Sequence, residues 1–218
     1  MTSSREDYLK AIARLQQNAE RVSNRHIADD LGVSAASVSE IIRKMEKEGL
    51  VESVEKRSIR LTRKGEEAAV RLVRIHRLWE VFLVDHLGYA WEDVHEEAEK
   101  LEHAASPQLM EKLDRFLGYP EMCPHGRKIP GRRNQEPREG PLSRLSDLPA
   151  GIPAVVRRVP ESKELLELLA SCGIRLHEKV ALLEEGAHYG AFLVEAREGR
   201  RFELPAAAAD AILVEISA

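Results

Sequence analysis

A glycine turn between two short amphipathic segments is the feature that most constrains the fold of this chain. In "SNRHIADDLGVSAASVSEIIRKMEKEGL", Ser23 is placed to cap a short helix that ends at Leu31, before Gly32. Ser34 then caps a second helix, predicted over residues 34–48. Apolar side chains recur there at helical spacing: Val38, Ile41, Ile42, Met45 and Leu50. This order of elements is the helix-turn-helix pattern.

The flanking segments extend this pattern on both sides. "REDYLKAIARLQ" predicts a first helix over residues 4–17. "LVESVEKRSIRLT" alternates like a two-stranded hairpin, with Glu55, Lys56 and Arg57 at its tip. A hairpin in this position is the wing of a winged helix. The alternative is a helical hairpin that packs and binds nothing, and the combination of elements is more specific than any one of them.

The charge is distributed unevenly along the chain. The net charge of −4 by itself argues against nucleic-acid binding. Residues 1–74, however, carry 15 Lys and Arg against 12 Asp and Glu, whereas residues 75–218 carry 18 against 25. A basic front half on an acidic chain permits a local DNA-binding surface.

The chain changes in character twice beyond the hairpin. A long amphipathic helix is predicted from Thr62 to Asp85, followed by two more helices, and their broad apolar surface suits a dimer seam around residues 78–117. Residues 119–143 are rich in Pro, Gly and charge, which indicates an ordered loop followed by a linker. Short alternating runs then predict a small β-barrel of about five strands with one helix.

The predicted fold class is therefore mainly α with small β, in three domains. These are a winged helix-turn-helix domain over residues 1–74, a helical domain over 75–140 and a β-barrel domain over 141–218. Because the chain has neither a run of 18 apolar residues nor a signal-peptide core, we expect a cytoplasmic protein with no membrane partner. Cys123 and Cys172 are expected to be reduced thiols.

Acidic and histidine side chains crowd one stripe of the stretch "HEEAEKLEH". Glu99, Glu102 and His103 stand at i, i+3 and i+4 of the predicted helix, with His95 one turn earlier. Like charges at this spacing repel, so something should compensate them. Two explanations are open: a solvated face softened by Lys100, or a bound divalent metal ion.

Further candidate ligands lie elsewhere in the chain. His76 and Glu80 share a face of the long helix, Cys123 and His125 form the stretch "CPH", and Asp7 is on the first helix. Each has an ordinary explanation on its own, as a surface charge, a basic cluster or an inert thiol. Together they make two sets. The first, rich in oxygen, suits Mn(II) or Fe(II): Asp7, His76, Glu99, Glu102 and His103. The second suits Zn(II) or the same metal: Glu80, Cys123 and His125, with one carboxylate from elsewhere.

Six motifs in order resemble one known family. They are "EDYLKAI", "VSAASVSEIIRKMEKEGLV", "LTRKGEEAA", "HRLWEVFLVDHLG", "VHEEAEKLEH" and "CPHGRKIPG", and they span residues 4–131. This arrangement resembles the diphtheria toxin repressor family of metal-dependent transcriptional repressors. Residues 143–218 look like that family's C-terminal SH3-like domain, also called FeoA-type. The resemblance implies a repressor and not an enzyme.

The resemblance also implies the roles of individual residues. The family's primary metal site falls on Asp7, Glu99, Glu102 and His103, with His76 nearby. The iron-sensing branch carries Met and Cys at the positions of Asp7 and Glu99, so this chain is similar to the manganese-sensing branch.

Three other positions bear on the metal sites. Some manganese regulators have a Glu at the position of Lys10 that helps to hold a second ion, which a lysine cannot do. The second site would use Glu80, Cys123 and His125 with Glu161 or Glu164 as fourth ligand, and Zn(II) can substitute there. His95 aligns with an ancillary ligand of the iron-sensing branch.

The implied function is Mn(II)-dependent repression. The expected partners are double-stranded DNA, as palindromic operators of metal-uptake genes, and a second copy of the chain as a homodimer. The alternatives are an Fe(II)-dependent repressor of the same family and a metal-dependent hydrolase. The helix over residues 34–48 is expected to enter the major groove. The expected base contacts are Ser34, Ala36, Ser37, Ser39 and Glu40, and the expected phosphate contacts are Arg43, Lys44, Arg57 and Arg60.

Overall fold

The computed structural model describes residues 5–18, 21–54, 58–131, 141–185 and 190–217. They fall into two compact units. The first runs up to His76 and includes Glu102–Ala105, and the second comprises Arg77–Leu101 and the chain from Ser106 onward. The division into three domains at residues 74 and 140 stays a prediction. In the described part of the chain, no helix is both long and apolar enough to cross a membrane.

The first unit contains the helix-turn-helix and hairpin that the sequence predicts. Its elements are α1 (Arg5–Asn18), α2 (Asn24–Leu31), α3 (Ala35–Lys47), β1 (Val51–Val54), β2 (Ser58–Leu61) and the start of α4 (Arg63–Leu87). The Ser23 side chain accepts a hydrogen bond from the His26 N–H, and the Ser34 side chain accepts one from the Ser37 N–H. Gly32 ends α2 with φ of 64°, a left-handed conformation that suits glycine. The hairpin tip at residues 55–57 lies outside the described residues.

A single hydrophobic core holds the first unit together. Tyr8 and Ile12 of α1 are fully buried and belong to the same cluster as Ile27 of α2 and Val38 of α3. Because helical spacing places these side chains on facing stripes, α1 and the two helices of the motif are linked by one shared core.

The three helices that follow are the predicted ones, with different ends. The Thr62 hydroxyl caps α4 by accepting from the Gly65 N–H, and α4 continues to Leu87, beyond the predicted end at Asp85. The next helices are α5 (Val94–Glu102) and α6 (Pro107–Phe116). The prediction that His103 lies within the helix is wrong, because α5 ends at Glu102. The Glu102 carbonyl accepts from the Ala105 N–H in a turn, and Ser106 then caps α6.

The C-terminal part is a curled antiparallel sheet that forms a half-barrel. The strands are β3 (Ser143–Arg144), β4 (Pro153–Arg158), β5 (Lys179–Glu185), β6 (Ala191–Glu195), β7 (Arg201–Pro205) and β8 (Leu213–Ile216), in the spatial order β3-β8-β4-β5-β6-β7. The five predicted strands are present, together with the short β3. Irregular register between Val156 and Arg158 and between Leu182 and Glu184 marks bulges, which increase local twist.

Two helices accompany this sheet. The helix α7 (Lys163–Cys172) is the predicted one, and α8 (Ala206–Ala211) is an addition. Leu166 and Leu169 of α7 are buried in one core with Val156 of β4 and Val194 of β6. This core fixes the start of α7 beside the end of β4, which positions the segment that contains Glu161.

Candidate metal centres

The first cluster of possible ligands lies within the first unit. Asp7 is on α1, Glu102 is the last residue of α5, and His103 follows it. The His103 Nε2 atom is 3.3 Å from Asp7 Oδ1 and 3.8 Å from Glu102 Oε1. These three side chains each direct one ligand atom to a common point, with all three atoms within 4.8 Å of one another.

Glu102 is the most buried member of this first cluster. Its side chain has no exposure to solvent. His76 Nδ1 donates to Glu102 Oε2 over 2.6 Å, and Lys10 Nζ donates to Glu102 Oε1 over 2.7 Å. Burial opposes ionisation of this carboxyl, but the hydrogen bonds and charges of His76 and Lys10 prevail and lower its pKa. Glu102 is therefore held as a carboxylate with both oxygens engaged.

His103 is oriented by a residue that the sequence argument did not identify. Glu6 Oε2 accepts from His103 Nδ1 over 2.5 Å, which leaves Nε2 facing Asp7 and Glu102. Burial lowers the pKa of His103, but the Glu6 hydrogen bond and the charges of Glu102, Asp7 and Glu6 raise it overall. A carboxylate on the far nitrogen is the usual way in which a metal-binding imidazole is fixed in one tautomer. In the sequence, the one sign of this role is that Glu6 directly precedes the candidate ligand Asp7.

His76 and Glu99, the other predicted ligands of the primary site, are not part of the first cluster. His76 contacts Glu102 Oε2 and is outside the group of three convergent ligand atoms. Glu99 is exposed and belongs to the second unit, and no group of three or more possible ligands among the described residues includes it. Its role as a ligand stays a prediction that rests on its place one helical turn before Glu102.

The second cluster lies within the second unit. Glu80, Cys123, His125 and Glu161 direct ligand atoms to within 4.8 Å of one another. Glu80 and His125 are fully buried and Cys123 is 3% exposed, while Glu161 is partly buried. His95 is near this cluster, with Nδ1 3.6 Å from Glu80 Oε1.

Charges in the second cluster are strongly coupled. Burial and the Glu80 charge raise the pKa of the Cys123 thiol. Burial lowers the pKa of His125, but the contacts with Cys123 and Glu80 outweigh it and raise that pKa to about 10. His125 Nε2 donates to the Trp91 carbonyl oxygen over 2.8 Å, so Nδ1 is the nitrogen that faces Glu80, 3.5 Å away.

Close packing of one turn against β4 brings Glu161 to this cluster. Gly126 has φ of 75°, and a Cβ atom there would lie 1.9 Å from the Arg157 carbonyl oxygen. The Val159 N–H donates to the His125 carbonyl oxygen over 3.1 Å. Glu161 lies two residues after Val159 and pairs with Arg127 at 3.2 Å. Of the two predicted candidates the structure brings in Glu161, whereas Glu164 is exposed and accepts from Ser162.

Both clusters fit a divalent metal ion. Donor atoms around one ion at about 2.0–2.4 Å can be no more than about twice that distance apart, and the ligand atoms of each cluster all lie within 4.8 Å of one another. The first cluster offers two carboxylates and an imidazole without sulfur, which matches Mn(II) and Fe(II). The second adds the sulfur of Cys123, which is a softer donor and matches Zn(II) as well.

The residues expected to contact DNA are mostly on the outer face of the first unit. Ser34, Ala36, Ser37, Glu40, Arg43, Lys44 and Arg60 are exposed. Ser39 is half-buried and accepts from Asn24 over 2.9 Å, so it also ties α3 to α2. Lys44 Nζ is 2.7 Å from Glu40 Oε1. Arg57 lies outside the described residues.

Known proteins match the chain along its length. Residues 1–59 match the model of the iron dependent repressor N-terminal DNA binding domain, residues 62–131 that of the iron dependent repressor metal binding and dimerisation domain, and residues 143–216 that of the FeoA domain. The iron-dependent repressor IdeR of Mycobacterium tuberculosis (strain ATCC 25618 / H37Rv) is 32% identical over 220 residues, which cover 86% of this chain and 96% of that protein. The chain belongs to the diphtheria toxin repressor family.

Solved structures of metal-dependent repressors share the fold of this family member. A manganese-dependent transcriptional repressor in complex with manganese is 38% identical, with a TM-score of 0.84, over 98% of this chain and all of that one. The manganese regulator SloR is 37% identical, with a TM-score of 0.76, over the whole of both chains. The chain is thus a metal-dependent transcriptional repressor with a DNA-binding domain, and the family excludes the alternative of a hydrolase.

Proposed function

We propose that this repressor responds to Mn(II) and, as a homodimer with metal bound, binds palindromic operators of metal-uptake genes in the cytoplasm. The observation that carries the proposal is the first cluster, because Asp7, Glu102 and His103 supply oxygen and nitrogen but no sulfur. Hard donors of this kind favour Mn(II) over softer ions. The similarity to a repressor solved with manganese supports the same ion.

The proposed primary site comprises Asp7, Glu102 and His103, with Glu99 as a further ligand and His76 as the residue that holds Glu102. A divalent ion there would supply positive charge beside the two carboxylates and would form coordination bonds with them and with the imidazole. Asp7 and the buried residues Tyr8 and Ile12 share one helix, and the core around them includes α2 and α3. The position of Asp7 is therefore linked mechanically to that of the DNA-reading helix.

A dimer converts this linkage into control of DNA binding. Two recognition helices enter successive major grooves only when they are about 34–36 Å apart or a multiple of this. A fixed α1 would hold α3 at the correct spacing, and DNA should tighten metal binding by the same factor in return. Phe116 is 63% exposed beside Phe82 and His86 in the second unit, which supports a dimer seam within residues 78–117.

The second cluster is proposed as an additional metal site. Glu80, Cys123, His125 and Glu161 would hold the same ion or Zn(II). Because Cys123 and Glu161 come from the turn before residue 131 and from the segment before α7, a shared ion would brace the C-terminal sheet against that turn. We propose no ligand role for Glu164.

An Fe(II)-dependent repressor is the second candidate. Its support is the name of the curated relatives, since IdeR of Mycobacterium leprae, an iron-dependent repressor, is 30% identical over 99% of this chain and 98% of that protein. Ligand type biases the choice between Mn(II) and Fe(II) without deciding it, because affinity generally rises from Mn(II) to Fe(II) at a given site.

Fluorescence anisotropy with promoter fragments of metal-uptake genes tests the proposal. Mn(II), anaerobic Fe(II) and Zn(II) are titrated separately into the native chain and into Glu99→Cys. We expect tight DNA binding with Mn(II) only, and a wider response that includes Fe(II) in the variant, because a thiolate softens the site. Equal binding by the chelator-treated chain would contradict metal dependence, and an equal or stronger response of the native chain to Fe(II) would favour the second candidate.

A further inference from the structure

The two oxygens of Glu102 face different partners. Oε2 is the atom that accepts a hydrogen bond from His76. Oε1 is the atom that lies 3.8 Å from His103 Nε2, on the side where Asp7 Oδ1 is also found. Lys10 Nζ donates to this same Oε1 over 2.7 Å. The ammonium group of Lys10 is therefore bound to the oxygen that a metal ion in the first cluster would use.

We propose that Lys10 is a built-in cation of the first cluster, which competes with the metal ion for Glu102 Oε1 and so sets the metal concentration at which the site fills. The inference rests on the proposed function, since it concerns the same site. It assigns to Lys10 a role in metal affinity that is separate from ligation, because a protonated amine has no lone pair to offer a metal ion.

Burial makes this competition strong. The Glu102 side chain has no solvent exposure and that of Lys10 has only 19%. A carboxylate removed from water needs a nearby positive charge, and Lys10 supplies it when no metal ion is present. A metal ion that takes Oε1 must displace this ammonium or stand beside it, and both lower the affinity of the site.

The pair also connects two segments of the first unit. Lys10 is on α1, three residues after Asp7, and Glu102 ends α5. Glu6, on the same helix, bonds to His103. These ion pairs therefore lie across the same contact that the metal ion is proposed to strengthen. We expect Lys10 to stabilise the metal-free form and to oppose metal binding.

Three variants separate charge from shape. Lys10→Met removes the charge at similar length, Lys10→Gln removes it but keeps a hydrogen-bond donor, and Lys10→Arg keeps it. The matched control is Lys163→Met, because Lys163 forms an exposed pair with Asp93 at 2.8 Å outside the cluster. Mn(II) affinity is measured from the electron paramagnetic resonance signal of free Mn(II), and thermal unfolding is followed with a chelator and with saturating Mn(II).

We expect the Mn(II) affinity to change at only one of the two proposed metal sites. Lys10→Met and Lys10→Gln should lower the Mn(II) Kd of one binding phase about tenfold or more, while the other phase and the Lys163→Met control stay unchanged. The Tm of both variants should fall in chelator and recover with Mn(II), and Lys10→Arg should behave like the native chain. A Kd within about twofold of native in both uncharged variants would overturn the inference.

The outcomes distinguish this inference from the proposed function. If the native chain loads Mn(II) and then binds DNA while Lys10→Met and Lys10→Gln keep its Mn(II) affinity, the role of Lys10 is wrong and the function stands. If the native chain binds no Mn(II), both are wrong. If Lys10→Met does not fold, Lys10→Gln decides the question, since it retains a donor for Oε1.

Discussion

Glu102 carries its negative charge on a side chain that has no exposure to solvent. The sequence predicts a ligand here from the spacing of Glu102 and His103, and the types of residue indicate a hard metal ion. The sequence does not predict that Lys10 pairs with Glu102, because the two residues are 92 positions apart. Nor does it predict that Glu6 orients His103, because acidic residues are common in the first turn of a helix. Such contacts depend on how α1 docks, which no local pattern encodes.

Replacement of His76 tests its role as the residue that holds Glu102. His76→Ala leaves Glu102 Oε2 buried without its hydrogen-bond partner, so we expect the free energy of unfolding to fall by about 3 kcal/mol. His76→Gln, which retains a donor, should recover part of this loss. Urea unfolding in the presence of a chelator measures both. Equal stability of His76→Ala and the native chain would show that Glu102 does not depend on this contact.

At the scale of elements, the sequence predicts helix caps, but it does not predict the end of α5 or the short strand β3. Ser23, Ser34, Thr62 and Ser106 all cap helices, because a short polar side chain before an apolar repeat is a local signal. The sequence does not predict that α5 ends before His103, because the helical spacing continues through His103 and the turn at Glu102–Ala105 has no local signal. The short strand β3 has two residues and therefore no period to detect.

The turn that contains Cys123 and His125 depends on a glycine. Gly126→Ala places a Cβ atom 1.9 Å from the Arg157 carbonyl oxygen and also strains a φ of 75°. Gly88→Ala is the matched control, with a φ of 72° but nothing within 4 Å. We expect Gly88→Ala to lower the free energy of unfolding by about 1–2 kcal/mol and Gly126→Ala to lower it by clearly more.

Metal binding by Gly126→Ala and Gly88→Ala distinguishes a local change at the second cluster from a general loss of stability. Gly126→Ala should weaken the second cluster selectively, because the displaced turn carries two of its four ligands, and should leave Mn(II) binding at the first cluster intact. Calorimetric titration of both variants with Mn(II) and Zn(II) measures this. Equal loss at both clusters, or none at either, would show that the packing of Gly126 on Arg157 does not position the second cluster.

For the whole molecule, the order of domains follows from sequence and the choice between similar ligands does not. Glu161 and Glu164 are three positions apart in the same segment, and their residue type gives no reason to prefer one as a ligand. The structure distinguishes them, because Glu161, just after β4, lies close to Cys123, whereas Glu164 does not. The same limit applies to DNA recognition, because exposure identifies Arg43, Lys44 and Arg60 as available without showing which of them reaches a phosphate. Measuring how substitutions change the DNA binding of the intact protein assigns them.

The dependence of operator affinity on salt makes that assignment. Each phosphate contact adds about −0.9 to the slope of log K against log salt concentration. Because a substitution in the proposed homodimer removes one contact from each subunit, Arg43→Gln and Arg60→Gln should each make the slope shallower by about 1.8. Lys44→Met should change it less, since Glu40 already holds the Lys44 ammonium at 2.7 Å. Lys163→Met is the control for a general loss of charge. Anisotropy titrations with saturating Mn(II) across a salt series give the slopes, and unchanged slopes in both arginine variants would remove these residues from the DNA-contacting surface.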